Sequence, residues 1–200
     1  MEQESPKTRP IRFWASALAV GVVLGVVSGA TIVTILALQS ERTGPWIHVP
    51  AIGTPAASHV ERAAVAVIGL LALPREETIY FNAMVDSDGD LLRGNRTYRF
   101  ETGDLDCRWW SVTVYGKHGY LMPNAEGRHS YNMAQIEKND SGDYVIQIGP
   151  EQRDGYWIPT SDAVSFDVTL RVYNPSDAFR SRLDAGTLTM PRLVKEAPDG

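Results

Sequence analysis

Residues 164–174 read VSFDVTLRVYN. Val164, Phe166, Val168, Leu170 and Val172 fall on one side of this run, and Ser165, Asp167, Thr169, Arg171 and Tyr173 on the other. A strand turns successive side chains to opposite faces, so this alternation describes a strand with one buried face, as antiparallel sheets have. Residues 108–115, RWWSVTVY, repeat the pattern: Trp110, Val112 and Val114 are apolar, and Cys107, Trp109, Ser111, Thr113 and Tyr115 lie opposite. Working outward, 78–85 (TIYFNAMV) runs into an Asp-Gly hairpin turn at 86–90 (DSDGD) and on into 95–101 (NRTYRFE). Residues 143–149 (DYVIQIG) form a further strand, and Pro123-Asn124, 139–142 (NDSG) and Asn174-Pro175 read as turns. Short strands between such turns predict a mainly β, antiparallel β-sandwich.

Ahead of these strands, 58–73 carries Val60, Ala64, Val67, Ile68 and Leu71 at helical spacing. Ser58 and Glu61 are spaced as a capping box, and Pro74 ends the run. One helix is therefore expected before the sheets. Residues 39–56 are rich in Pro and Gly without a period and read as a linker. Upstream, 13–38 (FWASALAVGVVLGVVSGATIVTILAL) holds no charged residue. As a helix it spans roughly 39 Å, more than the ~30 Å hydrocarbon core. It also exceeds the about 7–15 apolar residues of a cleaved signal peptide, so a retained transmembrane anchor is expected. Lys7, Arg9 and Arg12 precede it, while Glu41 and Arg42 cancel beyond it. The positive-inside rule then puts residues 1–12 in the cytoplasm as a tail and the 57–195 domain on the far side. Ala17, Gly21, Gly25 and Gly29 line one face of the helix, a stripe through which a second copy or a partner membrane protein could pack.

Hydrophobic residues make up 44% of the chain and charged residues 22%, a balance that folds rather than stays disordered. Setting aside Glu2, Glu4, Lys7, Arg9 and Arg12 leaves 16 basic and 22 acidic residues out of 19 and 24, a formal −6. No basic stretch offers a footprint for phosphate backbones, which excludes nucleic acid as a partner. Cys107 is the one cysteine, so neither an intramolecular disulfide nor a cysteine metal cluster is available; beside Trp109 and Trp110 it reads as a core thiol.

The motifs GTPAASHVERA, IYFNAMVDSDGDLLRGNRTYRF, WWSVTVYGKHGYLMPN, YWIPT and FDVTLRVYNP, in this order, resemble the bacterial family known as domain of unknown function 1214. The likeness covers nearly all of 50–195, and one anchor plus this domain looks like the stand-alone envelope members. It implies a jelly-roll-like β-sandwich, periplasmic and held to the inner membrane by a single span. It supplies no activity, substrate or catalytic residue. Two positions depart from the pattern: His59-Val60 stands where an aromatic is usual, and Lys117-His118 where an acidic residue commonly follows the two-tryptophan strand.

Asp86, Asp88 and Asp90 begin like a calcium loop, but Gly89 falls two places early and Leu91 and Thr97 occupy its sixth and twelfth positions, so a plain turn is expected. His118 and His129 with Glu126 have ligand chemistry but no ligand spacing, and neither a metal nor a cofactor is expected. No nucleophile elbow or metalloprotease helix is present in the sequence. What remains is a polar face with aromatics. Trp109, Tyr115, Arg171 and Tyr173 are expected on outward faces of two strands, with Asn124 and Trp157 on loops, as candidates for binding an envelope glycan or a protein. The expected function is a non-catalytic binding module. The alternative is a carbohydrate-active enzyme using paired carboxylates on the sandwich.

Overall fold

The computed structural model describes residues 11–38, 40–50, 52–55, 57–59, 62, 73–116, 119–160 and 165–197. The chain divides into two compact units, Met1–Gln39 and Ser40–Gly200. The first is helix α1 (Ile11–Leu38). Its stretch Phe13–Ile32 has a mean hydropathy of 2.0 and is long and apolar enough to cross a membrane. The hydroxyls of Thr31 and Thr34 donate to the carbonyls of Val27 and Ala30, one turn back, both at 2.9 Å. Both hydroxyls are thereby satisfied within the helix, as an apolar surrounding requires.

The second unit is two sheets around one core. The six-stranded sheet runs β1 (Glu41–Thr43), β2 (Trp46–His48), β3 (Thr78–Ala83), β9 (Asp167–Pro175), β5 (Cys107–Tyr115) and β6 (Ser130–Asn132). The four-stranded sheet runs β10 (Arg192–Lys195), β4 (Tyr98–Thr102), β7 (Tyr144–Gly149) and β8 (Trp157–Pro159). The alternation read in the two decisive strands holds. Val168, Leu170 and Val172 on β9 and Trp110, Val112 and Val114 on β5 are buried, facing Phe100, Ile146, Ile148 and Leu193 of the other sheet. The Phe100 ring lies 6.2 Å from Trp46 and 5.9 Å from Trp110, so aromatic contacts cross the sandwich. The Trp46 indole donates to the Pro191 carbonyl at 2.6 Å, satisfying the one polar group of a fully buried ring.

Several elements differ from the expectation, each for a physical reason. Residues 39–56 contain β1 and β2, joined by a turn at Gly44, whose φ of 59° suits glycine. Three-residue strands are too short to show a period, and Trp46 was the signal for them. The 86–90 segment does form a tight turn: the Asp86 carboxylate accepts the N–H groups of Asp88 at 3.0 Å and Asp90 at 2.9 Å. It does not, however, make a hairpin of β3 and β4. Those strands belong to different sheets, and the turn is tied to β10 by Ser87 and Leu193. Pairing is antiparallel throughout except for β7 with β8, which is parallel.

Helix α2 (Asp177–Asp184) follows β9, where the sequence reading had only strands and turns. Its cap was legible: the Ser176 hydroxyl accepts the Phe179 N–H at 3.0 Å, and Phe179 and Leu183, one turn apart, are its buried residues. The helix expected over 58–73 lies mostly outside the described residues. At its start the Arg62 N–H bonds the Ser58 carbonyl at 3.0 Å, a helical i to i−4 bond. Val164, at the head of the decisive stretch, and His118 also lie outside them.

Candidate functional site

Strand register assembles the outer face of the six-stranded sheet. Thr78, Tyr80 and Asn82 of β3 oppose Tyr173, Arg171 and Thr169 of β9, which in turn oppose Trp109, Ser111 and Thr113 of β5; Asp167 opposes Tyr115. The face is polar, yet Ser111, Thr113 and Thr169 are buried beneath larger neighbours. Such hydroxyls need partners. Thr169 donates to the Asn82 side-chain oxygen at 2.8 Å. Thr113 accepts from the Arg171 guanidinium at 3.0 Å, and the Tyr115 hydroxyl accepts from the same group at 2.7 Å.

Arg171 is thus held by two hydroxyls and flanked by two rings, its Cζ lying 5.7 Å from the Tyr115 centroid and 6.0 Å from that of Tyr80. Guanidinium groups are weakly hydrated and stack on aromatic faces, which makes this a pre-organised donor rather than a mobile charge. Further along, Trp109 and Tyr173 meet edge to face at 4.9 Å. Tyr115 and Thr113 also wall a cavity of about 450 Å³, whose other lining residues include Leu121, Glu126, Arg128 and His129. Arg128 donates to the Tyr131 hydroxyl at its floor.

The six candidate residues do not all meet. Trp109, Tyr115, Arg171 and Tyr173 share one face, as the alternation implied. Asn124 sits in a loop and spends its amide there: its nitrogen donates to the carbonyls of Met122 at 3.2 Å and Arg128 at 3.0 Å, and its oxygen accepts the Arg128 N–H at 3.0 Å. It therefore fixes the loop that carries Arg128, a lining residue of the cavity. Trp157 is on β8, not on a loop. Its register partner is Gln147, and it turns away from the core on the four-stranded sheet. Its indole donates to the Gly149 carbonyl at 3.0 Å, so it stands on the opposite side of the sandwich.

Two titratable groups bear on the chemistry. Burial pushes the Cys107 thiol up to about 11, and it donates to the Trp109 carbonyl at 3.5 Å, so it is an inert thiol at neutral pH. Asp167 is raised to about 6, with burial as the cause, and it has no hydrogen-bonding or ion-pairing partner among the described residues. Sequence alternation had set Asp167 on the polar side, but nothing in the sequence marked it as unpaired. Tyr80 was missed because the pairing of β3 with β9 cannot be read from either strand alone. Among the described residues no group of three or more His, Cys, Asp or Glu is arranged to hold a metal ion.

The model of a family described as "Protein of unknown function (DUF1214)" matches residues 77–177. No curated protein matches the chain. Among solved structures, the VPA0106 protein from Vibrio parahaemolyticus is similar with a TM-score of 0.63 at 23% identity, over 97% of this chain and 48% of that one. The chain thus spans about half the length of that protein, and the likeness is one of fold. An uncharacterized protein from Burkholderia cenocepacia is similar over 62% of this chain and 31% of its own, with 16% identity and a TM-score of 0.40.

Proposed function

The chain belongs to the family of unknown function DUF1214, and from that premise, which brings no activity with it, we propose a non-catalytic, glycan-binding module of the bacterial cell envelope. The observation that carries the reading is the fixed Arg171 guanidinium, set among Tyr80, Thr113 and Tyr115 beside an open cavity. Hydroxyl-rich ligands use rings to lie against and planar donors to bridge their oxygens, and this face offers both. A protein partner is the weaker fit, because interface cores are apolar and this face carries buried hydroxyls instead.

The enzymatic alternative draws on Asp167, raised to about 6 as a general acid would be. Glycoside hydrolysis needs a second carboxylate, about 5–9.5 Å away. Burial is the cause of the Asp167 shift, and no neighbouring acid contributes among the described residues. Binding is therefore the better-supported function.

The same reading treats α1 as a retained single-pass anchor, with Lys7, Arg9 and Arg12 in the cytoplasm and the sandwich in the periplasm. At Gly21, Gly25 and Gly29 an added Cβ would meet nothing within 4 Å, which leaves room for a second copy or a partner helix along the Ala17 face. Non-consecutive neighbours β3-β9-β5 in one sheet and β10-β4-β7 in the other favour a jelly-roll-like winding.

The test uses the full chain in a sugar-free detergent, titrated with oligomers of glucosamine and N-acetylglucosamine and with solubilised cell-wall glycan strands. Binding that weakens about tenfold or more in Arg171→Ala supports the reading. Release of new reducing ends would move the assignment to the enzyme, and absence of binding to every glycan would end it.

A further inference from the structure

We propose that Asp167 is the specificity-determining residue of this face, accepting the protonated amino group of an amino-sugar unit. The inference rests on the glycan-binding reading above and names which glycan. It begins from an imbalance between two charges on one strand. Arg171 has its hydroxyl partners at 3.0 and 2.7 Å, whereas Asp167, on the same face of β9, has none among the described residues. The register partner of Asp167 is Tyr115, and directly opposed side chains carry Cβ atoms about 5 Å apart. Tyr115 is also a wall of the cavity of about 450 Å³. Asp167 does not itself line the cavity, but by this register a molecule lying against Tyr115 there comes within reach of its carboxylate, which has no donor among the described residues.

The chemistry selects the kind of donor. Glu126, which lines the cavity, is exposed and keeps its water. Asp167 is half-buried, so it has already lost part of its hydration and gains more from a partner supplied by the ligand. A neutral hydroxyl would give one hydrogen bond. An ammonium gives a charge-assisted one, roughly twice as strong, and neutralises the acid as well. The formal charge of −5 on the chain likewise favours a cationic ligand. Arg171 lies four residues further along β9, roughly 13 Å away, and two of its five N–H donors are engaged by Thr113 and Tyr115. The remainder are available to ring oxygens and hydroxyls of a neighbouring unit, a span that suits an oligomer rather than a single sugar.

The measurement is isothermal titration of the full chain, in polyoxyethylene detergent at neutral pH, with a glucosamine oligomer and the N-acetylglucosamine oligomer of equal length. The free-amine oligomer is expected to bind about tenfold tighter. Asp167→Asn should bring the two to within about twofold, and Asp167→Glu should keep the preference. Circular dichroism and a thermal midpoint establish that each variant folds. Equal affinities in the wild-type chain, or a preference that survives Asp167→Asn, would overturn the assignment of Asp167 while leaving the binding face intact. Failure of both oligomers to bind while solubilised cell-wall glycan strands still bind would overturn the Asp167 assignment alone, and failure of all three would overturn the two readings together.

Discussion

The two outer faces of the sandwich handle charge in opposite ways. On the four-stranded sheet Arg99 is paired with Glu101 and, at 3.4 Å, with Glu196, which also accepts from Gln147 at 3.3 Å. Acid and base there answer one another, and Trp157 donates to a backbone carbonyl. On the six-stranded sheet the base is held by neutral hydroxyls and the acid, Asp167, by nothing among the described residues. A face whose charges are mutually satisfied is a finished surface. A face with an ordered donor and an acceptor unanswered among the described residues carries a cost in the free protein that a ligand can recover.

Changes in the shared core should erase the contrast, and these carry the largest effect. Trp110→Ala removes a ring that touches Phe100 and Tyr144 of the other sheet. It should cost about 3–5 kcal/mol, read as a lower denaturant midpoint with both faces affected alike. Next, Arg171→Met should leave the Thr113 and Tyr115 hydroxyls without their donor and weaken glycan binding by about 1.5–3 kcal/mol. Arg99→Met, on the finished face, should leave titrated affinity unchanged and move stability by less than about 1 kcal/mol.

Asp167→Asn should act on stability with a definite sign. The folded-state value of about 6 lies above the ordinary 3.8, so the folded protein holds this proton more tightly than the unfolded chain does. That stabilisation is present below 3.8 and is lost as pH rises through 6. The Asn variant should therefore melt higher than wild type above pH 6, by about 1 kcal/mol or less after allowing for partial exposure, and show no such gain in acid. His48 runs the other way and is the smallest effect. Burial lowers it below 6.5, against the opposing charge of Glu41, with Arg75 lowering it and Asp184 raising it in turn. Its contribution is present above 6.5 and fades as pH falls below it, so His48→Phe should flatten the acid side of a thermal-midpoint profile.

Much of the contrast was legible before any coordinates. The alternation in 164–174 and 108–115 separated Val168, Leu170 and Trp110 from Arg171, Tyr173 and Trp109, because a buried face enforces period two. Side-chain direction is a local property. Strand partnership is not: nothing near Tyr80 says that its strand lies beside Arg171, and the turn at Asp86–Asp90 looks the same whether it closes a hairpin or carries the chain to the other sheet. Trp157 was misjudged for that reason, since its neighbour Ile158 points to the core of a sheet the sequence had not separated from the first. Helix α2 was short enough to hide behind Asn174-Pro175, although Ser176 and the Phe179–Leu183 spacing announced it.

The claim that the two faces differ in purpose is tested most directly by hydroxyl-radical footprinting of tryptophan and tyrosine side chains, with and without a saturating glucosamine oligomer. The expected result is protection of Trp109, Tyr115 and Tyr173, with Trp157 and Tyr156 labelled as before. Protection of Trp157 and Tyr156 alone, or of neither group while the oligomer is bound, would contradict it.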